Sequence, residues 1–359
     1  MGALRLFLAC VVAVAHLQTN ILTPKGLHIW GGFYLGFNAG YAVLAFYMIS
    51  GFLMSTVLST KYEADWRGSS RFYLNRFIRI FSLFLPIAIV SFYAVDGTMR
   101  DFAIASPLQR LTSFTLLGSD WLIIADGADN ENSWLALLNP LHQAWTLGPE
   151  LTFYLLAPWL LRSFSASVFA LLASFAIRIS LIHVGASETW TYIFLPSTFM
   201  FFLLGHFARV ASSHYAQMYK PIVAYTLLGI GVVILAFPSP ASWDSLRFWL
   251  AMLCLAGCLP GLFNNTKENT FLNWLGALSF PVYLAHNMVR QHFETIKYFD
   301  QLPYDWRQVG ALTITYLVFV LGAAIAAHYL LERPCANVMR SAAQTARSIY
   351  RRSVCALSN

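Results

Sequence analysis

Arg5 and His16 stand in the first apolar segment of the chain, in the run Arg5-Leu6-Phe7-Leu8-Ala9-Cys10-Val11-Val12-Ala13-Val14-Ala15-His16. Eleven residues are about three α-helical turns, so both side chains leave nearly the same face, separated by roughly 16 Å along the axis. A neutral imidazole can take a proton from an attacking hydroxyl, and a guanidinium can hold phosphate oxygens in bidentate fashion. Ionisable groups inside an apolar span usually face a bundle interior and mark a functional path, which makes this pair the first candidate site.

Glu150 is the next candidate, in the run His142-Gln143-Ala144-Trp145-Thr146-Leu147-Gly148-Pro149-Glu150. Proline is tolerated at a first helical position, so a helix is expected to begin near Gly148 with Glu150 in its first turn. The positive end of the helix dipole then favours the carboxylate as an anion. On the topology derived below, this turn enters from the outer side. Glu150 is therefore expected to approach His16 in the outer half of the bundle and either to orient its ring, as a carboxylate does for a catalytic base, or to position the acceptor.

A basic run, Arg71-Phe72-Tyr73-Leu74-Asn75-Arg76-Phe77-Ile78-Arg79, puts Arg76 and Arg79 on one helix face at the expected cytoplasmic mouth, where they could grip phosphates. Ser50-Gly51 permits close backbone approach, with helix packing as its plainer role. Arg178, in the outer part of its segment, could pair with Glu150, touch an acceptor or serve a structural ion pair. His286 is shared between site and packing, and His142 and Trp145 are candidates for acceptor contact. His183, His206 and His328 are read as structural. The five cysteines are odd in number and three lie in apolar segments, so no disulfide framework is expected. Cys254 and Cys258 share a face but read as packing residues, and no metal is expected.

These groups need a scaffold suited to hydrocarbon. Of 359 residues, 58% are hydrophobic and 11% charged, about half the charged share of a soluble domain. The expected fold is all-α and polytopic, with spans at roughly 3–20, 37–58, 77–95, 148–162, 166–184, 192–210, 221–238, 247–263, 273–291 and 309–331. A weaker segment, 107–125, is diluted by Thr112, Ser113, Gly118, Ser119 and Asp120.

With ten spans, the basic connections (Lys61 to Arg79, Arg162, Arg209 to Lys220 and the tail) share the side of the N-terminus. The alternate loops carry Asp96, Asp101, Asp126, Asp129, Glu131, Glu188 and Asp244. The positive-inside rule thus predicts ten transmembrane helices with both termini cytoplasmic and 107–125 not crossing. The net charge of +7 follows from that loop asymmetry and from anionic lipids, and nucleic acid is not expected as a partner. The N-terminal run imitates a cleavable signal peptide but is read as a retained helix. One membrane domain over 1–335 and a basic cytoplasmic tail over 336–359 complete the organisation.

Six features in order carry a resemblance: Arg5 with His16, Phe46 to Leu53, Arg76-Phe77-Ile78-Arg79, Trp145 through Glu150 to Tyr154, Leu278 to His286, and Glu332-Arg333-Pro334. Together they resemble the acyltransferase 3 family. The resemblance implies a multi-pass bacterial inner-membrane enzyme that O-acylates, most often O-acetylates, carbohydrates or glycolipids of the cell surface, using cytoplasmic acyl-CoA. It implies essential roles for Arg5 and His16, and both direct transfer and an acyl-histidine step fit. Arg76, Arg79, Arg71 and Arg5 would then meet the phosphates of the donor, with Ser50 nearby. Two rival classes are a secondary transporter or flippase, against which no internal repeat is found, and a non-catalytic membrane sensor or scaffold.

Overall fold

The computed structural model describes residues 1–22, 39–94, 102–126, 141–214, 220–236, 244–295 and 306–357. Among them every regular element is helical. Helix α1 is Gly2–Leu17, α2 Ala39–Thr60 and α3 Trp66–Ala94. Two short helices follow, α4 Pro107–Thr115 and α5 Ser119–Asp126, then α6 Leu147–Leu160, α7 Phe164–His183, α8 Glu188–Tyr192 and α9 Leu195–His214. The rest are α10 Pro221–Ala236, α11 Leu246–Thr266, α12 Thr270–Thr295, α13 Trp306–Ala327 and α14 Arg333–Leu357.

Seven helical stretches among the described residues are long and apolar enough to cross a membrane: 2–22, 39–60, 66–93, 164–183, 188–214, 246–266 and 307–346. Three expected spans differ for physical reasons. Helix α6 has 14 residues and α10 has 16, about 21 and 24 Å, short of the roughly 30 Å of hydrocarbon. Helix α12 is long enough at 26 residues, but Asn273, Ser279, His286, Asn287, Arg290 and Glu294 dilute its apolarity.

The segment 107–125 is broken into α4 and α5, each too short to cross. A capping box between Ser106 and Gln109 starts α4, and the left-handed Leu116 and Gly118 (φ 63° and 75°) end it. Another departure concerns α3, which starts at Trp66 rather than near 77. The basic run is helical, in keeping with the shared face expected for Arg76 and Arg79, and Arg76 lies about three turns inside the helix. At the other end of the chain, α13 passes through a widened π turn, His328–Glu332, into α14, so the expected tail is helical up to Leu357.

Two core clusters meet at α1. Leu8 and Val12 join the larger, built mainly from α2, α3, α6, α9 and α11, while Ala9, Ala13 and Leu17 join a second with α12 and α13. Small residues bring the backbones together. A Cβ on Gly2 would lie 1.6 Å from the Leu272 carbonyl oxygen, and one on Gly276 would lie 2.8 Å from Gly2 Cα. Gly51 and Gly205 meet the Phe202 and Met48 carbonyl oxygens at 1.8 and 1.9 Å in the same sense. Helices α1 with α12, and α2 with α9, are thus in near backbone contact, which only glycine permits. Gly51 takes the packing role, leaving its neighbour Ser50 to point elsewhere.

Candidate active site

A cavity of about 140 Å³ lies between α1, α2, α3, α6 and α12. Its charged lining is Arg5, Arg76, Arg79 and Glu150, with Ser50, Tyr154 and Tyr283 among its hydroxyls. The sequence candidates Arg5, Ser50, Arg76, Arg79 and Glu150 therefore converge although they come from four helices.

Glu150 sits in the first turn of α6, as its position after Pro149 suggests. The start of that helix is positioned by α5, because Gly148 packs against Ser119 Oγ and the Leu116 carbonyl, where a Cβ would come within 2.0 and 2.3 Å. The Ser50 hydroxyl lies 2.9 Å from Glu150 Oε1 and 3.2 Å from the Tyr154 hydroxyl. Tyr154, one turn along α6, donates to the same carboxylate oxygen.

The three arginines differ in their engagement. Arg79 forms an ion pair with Glu332, whose other oxygen is 2.6 Å from His328 Nδ1. His328, read as structural from sequence, thereby has a partner in the π turn. Arg76 Nε is buried without a hydrogen-bond partner among the described residues, and its guanidinium carbon lies 5.8 and 5.9 Å from the ring centres of Phe72 and Tyr154. Arg5 lies within electrostatic reach of Glu150, Arg76 and Arg79. Three cations against Glu150 and Glu332 leave one positive charge in excess, so the lining favours an anionic guest.

His16 belongs to a second centre. Its Nδ1 is 2.9 Å from Nε2 of His286, and the ring centroids are 5.1 Å apart. The partner seen at the imidazole is thus His286, while Glu150 is held by Ser50 and Tyr154 at the arginine end. Glu150 bonds to Ser50 of α2 and Tyr154 of α6 and lines the cavity together with Arg5. Tyr283 links the two centres: it lines the cavity, and its ring centroid is 6.0 Å from that of His286. Its hydroxyl donates to the Gln143 carbonyl at 2.6 Å and lies 2.5 Å from Thr146 Oγ1. The chain of buried polar groups continues from Gln143 Oε1 to Asn287 Nδ2 (3.0 Å) and from Asn287 Oδ1 to Arg290 Nε (2.6 Å).

Other candidates are placed elsewhere. Arg178 is fully buried and pairs not with Glu150 but with Asp244, Nε and Nη2 reaching its two oxygens at 2.6 and 3.0 Å. Its Nη1 donates to the Thr191 and Ser197 carbonyls, and the rings of Phe201, Phe248 and Trp249 surround it. Four of its five N–H donors are thereby engaged within the protein, the arrangement of a structural ion pair. Trp145 is buried against Ile123, with its ring perpendicular to that of Tyr192. Arg71 is half exposed and pairs with Glu63 at 3.5 Å, away from the cavity. His142 lies in the short 3₁₀ turn before α6, and its side chain is outside the described residues.

Sequence reasoning did not single out Tyr154, Tyr283 or Glu332 as site residues. Tyr154 was detectable as the i+4 neighbour of Glu150. Tyr283 stands one turn before His286 and Glu332 beside Arg333-Pro334, but their partners lie far away in sequence.

An apolar helical bundle with buried guanidinium and imidazole groups defines a membrane protein with an internal polar site. A family model described as an acyltransferase domain matches residues 1–333. The chain belongs to this acyltransferase 3 family and is a multi-pass membrane acyltransferase by class. No curated protein and no solved structure matches it.

Proposed function

We propose that the protein transfers an acyl group, most simply acetyl, from cytoplasmic acyl-CoA to a hydroxyl of a cell-surface or exported carbohydrate or glycolipid. The setting is the bacterial inner membrane, with ten spans and both termini cytoplasmic as the loop charges suggest. The observation that carries this reading is the cavity with its excess positive charge and an Arg76 Nε that has no hydrogen-bond partner among the described residues. A buried donor left without a partner is costly, and a phosphate of the donor would supply the missing acceptor. Arg5 adds a second cation, and Arg79 is already oriented by Glu332.

The thioester arm would run along α2 and α1 toward Tyr283, beyond which the imidazole pair lies. His16 takes the proton as the acceptor O–H bond breaks, and the acceptor oxygen forms the new C–O bond at the thioester carbon. The C–S bond then breaks, and the thiolate takes the proton from His16 to leave as the CoA thiol. A two-step route with His16 as acyl carrier uses the same groups. Glu150 acts at the arginine end, where its carboxylate holds Ser50 and Tyr154 and balances Arg5.

Purified protein in nanodiscs, given acetyl-CoA and surface glycan, is expected to release free CoA thiol and to add one acetyl mass to the glycan. His16→Ala is expected to abolish both while leaving the fold intact. Full activity in a folded His16→Ala protein, or glycan transport across vesicles with no thiol release, would overturn the reading.

A further inference from the structure

We infer that His286 is a positioning residue that fixes the tautomer of His16, so that Nε2 of His16 is the nitrogen that receives the acceptor's proton. The inference rests on the proposed role of His16 as the base, and it names a second residue that this role requires.

The argument follows the protons. His286 is fully buried in α12. Its Nδ1 is 3.3 Å from the carbonyl oxygen of Val282, one turn earlier. A carbonyl only accepts, so the single ring proton of neutral His286 sits on Nδ1. Its Nε2 is then an acceptor, and the contact of 2.9 Å to His16 Nδ1 is a hydrogen bond donated by His16. With its own proton on Nδ1, neutral His16 carries its lone pair on Nε2.

The carbonyl of His286 is in turn held by the hydroxyl of Tyr316 at 3.0 Å, and Tyr316 is itself fully buried. α1 cannot slide past α12 without breaking the glycine contact at Gly2 and Gly276, so the two rings keep their register. The arrangement has the logic of a base oriented through Nδ1–H by a second group, with a neutral imidazole in the place a carboxylate takes in serine hydrolases. A neutral acceptor stabilises the imidazolium less than a carboxylate does. It therefore favours prompt delivery of the proton to the departing thiolate.

The test uses the full chain in nanodiscs with ¹⁵N-labelled histidine. Nitrogen chemical shifts are expected to report His16 as the Nδ1–H tautomer in the wild type. His286→Ala is expected to lower kcat about a hundredfold with the KM for acetyl-CoA unchanged. His286→Gln, whose amide oxygen can accept from His16 Nδ1, is expected to recover at least about tenfold of that loss. A wild-type His16 found with its proton on Nε2 overturns the inference, as does a His286→Ala enzyme with kcat within about threefold of wild type. If His286→Ala does not fold, the wild-type spectrum decides alone. A protein that shows the Nδ1–H tautomer but no transferase activity would refute the proposed function, and with it the receipt of an acceptor's proton, while the tautomer fixed by His286 would stand.

Discussion

Arg178 and Arg76 are both arginines on apolar helices of one bundle, yet their surroundings are opposite. Arg178 has a bidentate carboxylate, two carbonyls and three aromatic rings around it. Arg76 has two rings, a cavity and a buried Nε without a hydrogen bond among the described residues. Intramembrane charge alone does not identify a site. The saturation of the charge by its own protein separates a structural arginine from one that awaits a ligand.

The comparison is open to direct attack. Arg178→Met strips Asp244 of its partner inside the protein and is expected to cost about 3–5 kcal/mol of stability, read as a large drop in melting temperature and in yield of folded protein. A variant that melts like wild type would remove the structural assignment. Arg76→Gln should behave in the reverse manner. Its melting temperature should hold, while kcat/KM for acetyl-CoA falls about 10- to 100-fold, the equivalent of roughly 1.5–3 kcal/mol for a hydrogen bond to a charged group. The smallest effect is expected at Arg71→Gln, where an exposed pair with Glu63 contributes at most about 1 kcal/mol. Kinetics of that variant should stay within about twofold of wild type, and a larger loss would extend the donor site to the start of α3.

Much of this was readable from residue types and spacing. The three-turn separation of Arg5 and His16 does put them on one face, and Pro149 does place Glu150 in a first turn. The rest depends on contacts between residues distant in the chain. Glu332 meets Arg79 across 253 residues and His286 meets His16 across 270, pairings that no local periodicity encodes. The expectation that Glu150 would orient His16 failed to foresee a second histidine on α12 and a serine and tyrosine able to hold the carboxylate at the other end. The early start of α3 was hidden because its first turns are basic, and hydropathy reads a basic helical turn as loop.

The glycine contacts pin four helices in two pairs, α1 with α12 and α2 with α9. Each pair is a seam in which one added methyl group would collide with a backbone oxygen, so neither is built to open and close during turnover. The histidine pair, with one ring on α1 and the other on α12, is therefore held as a single unit by its own seam.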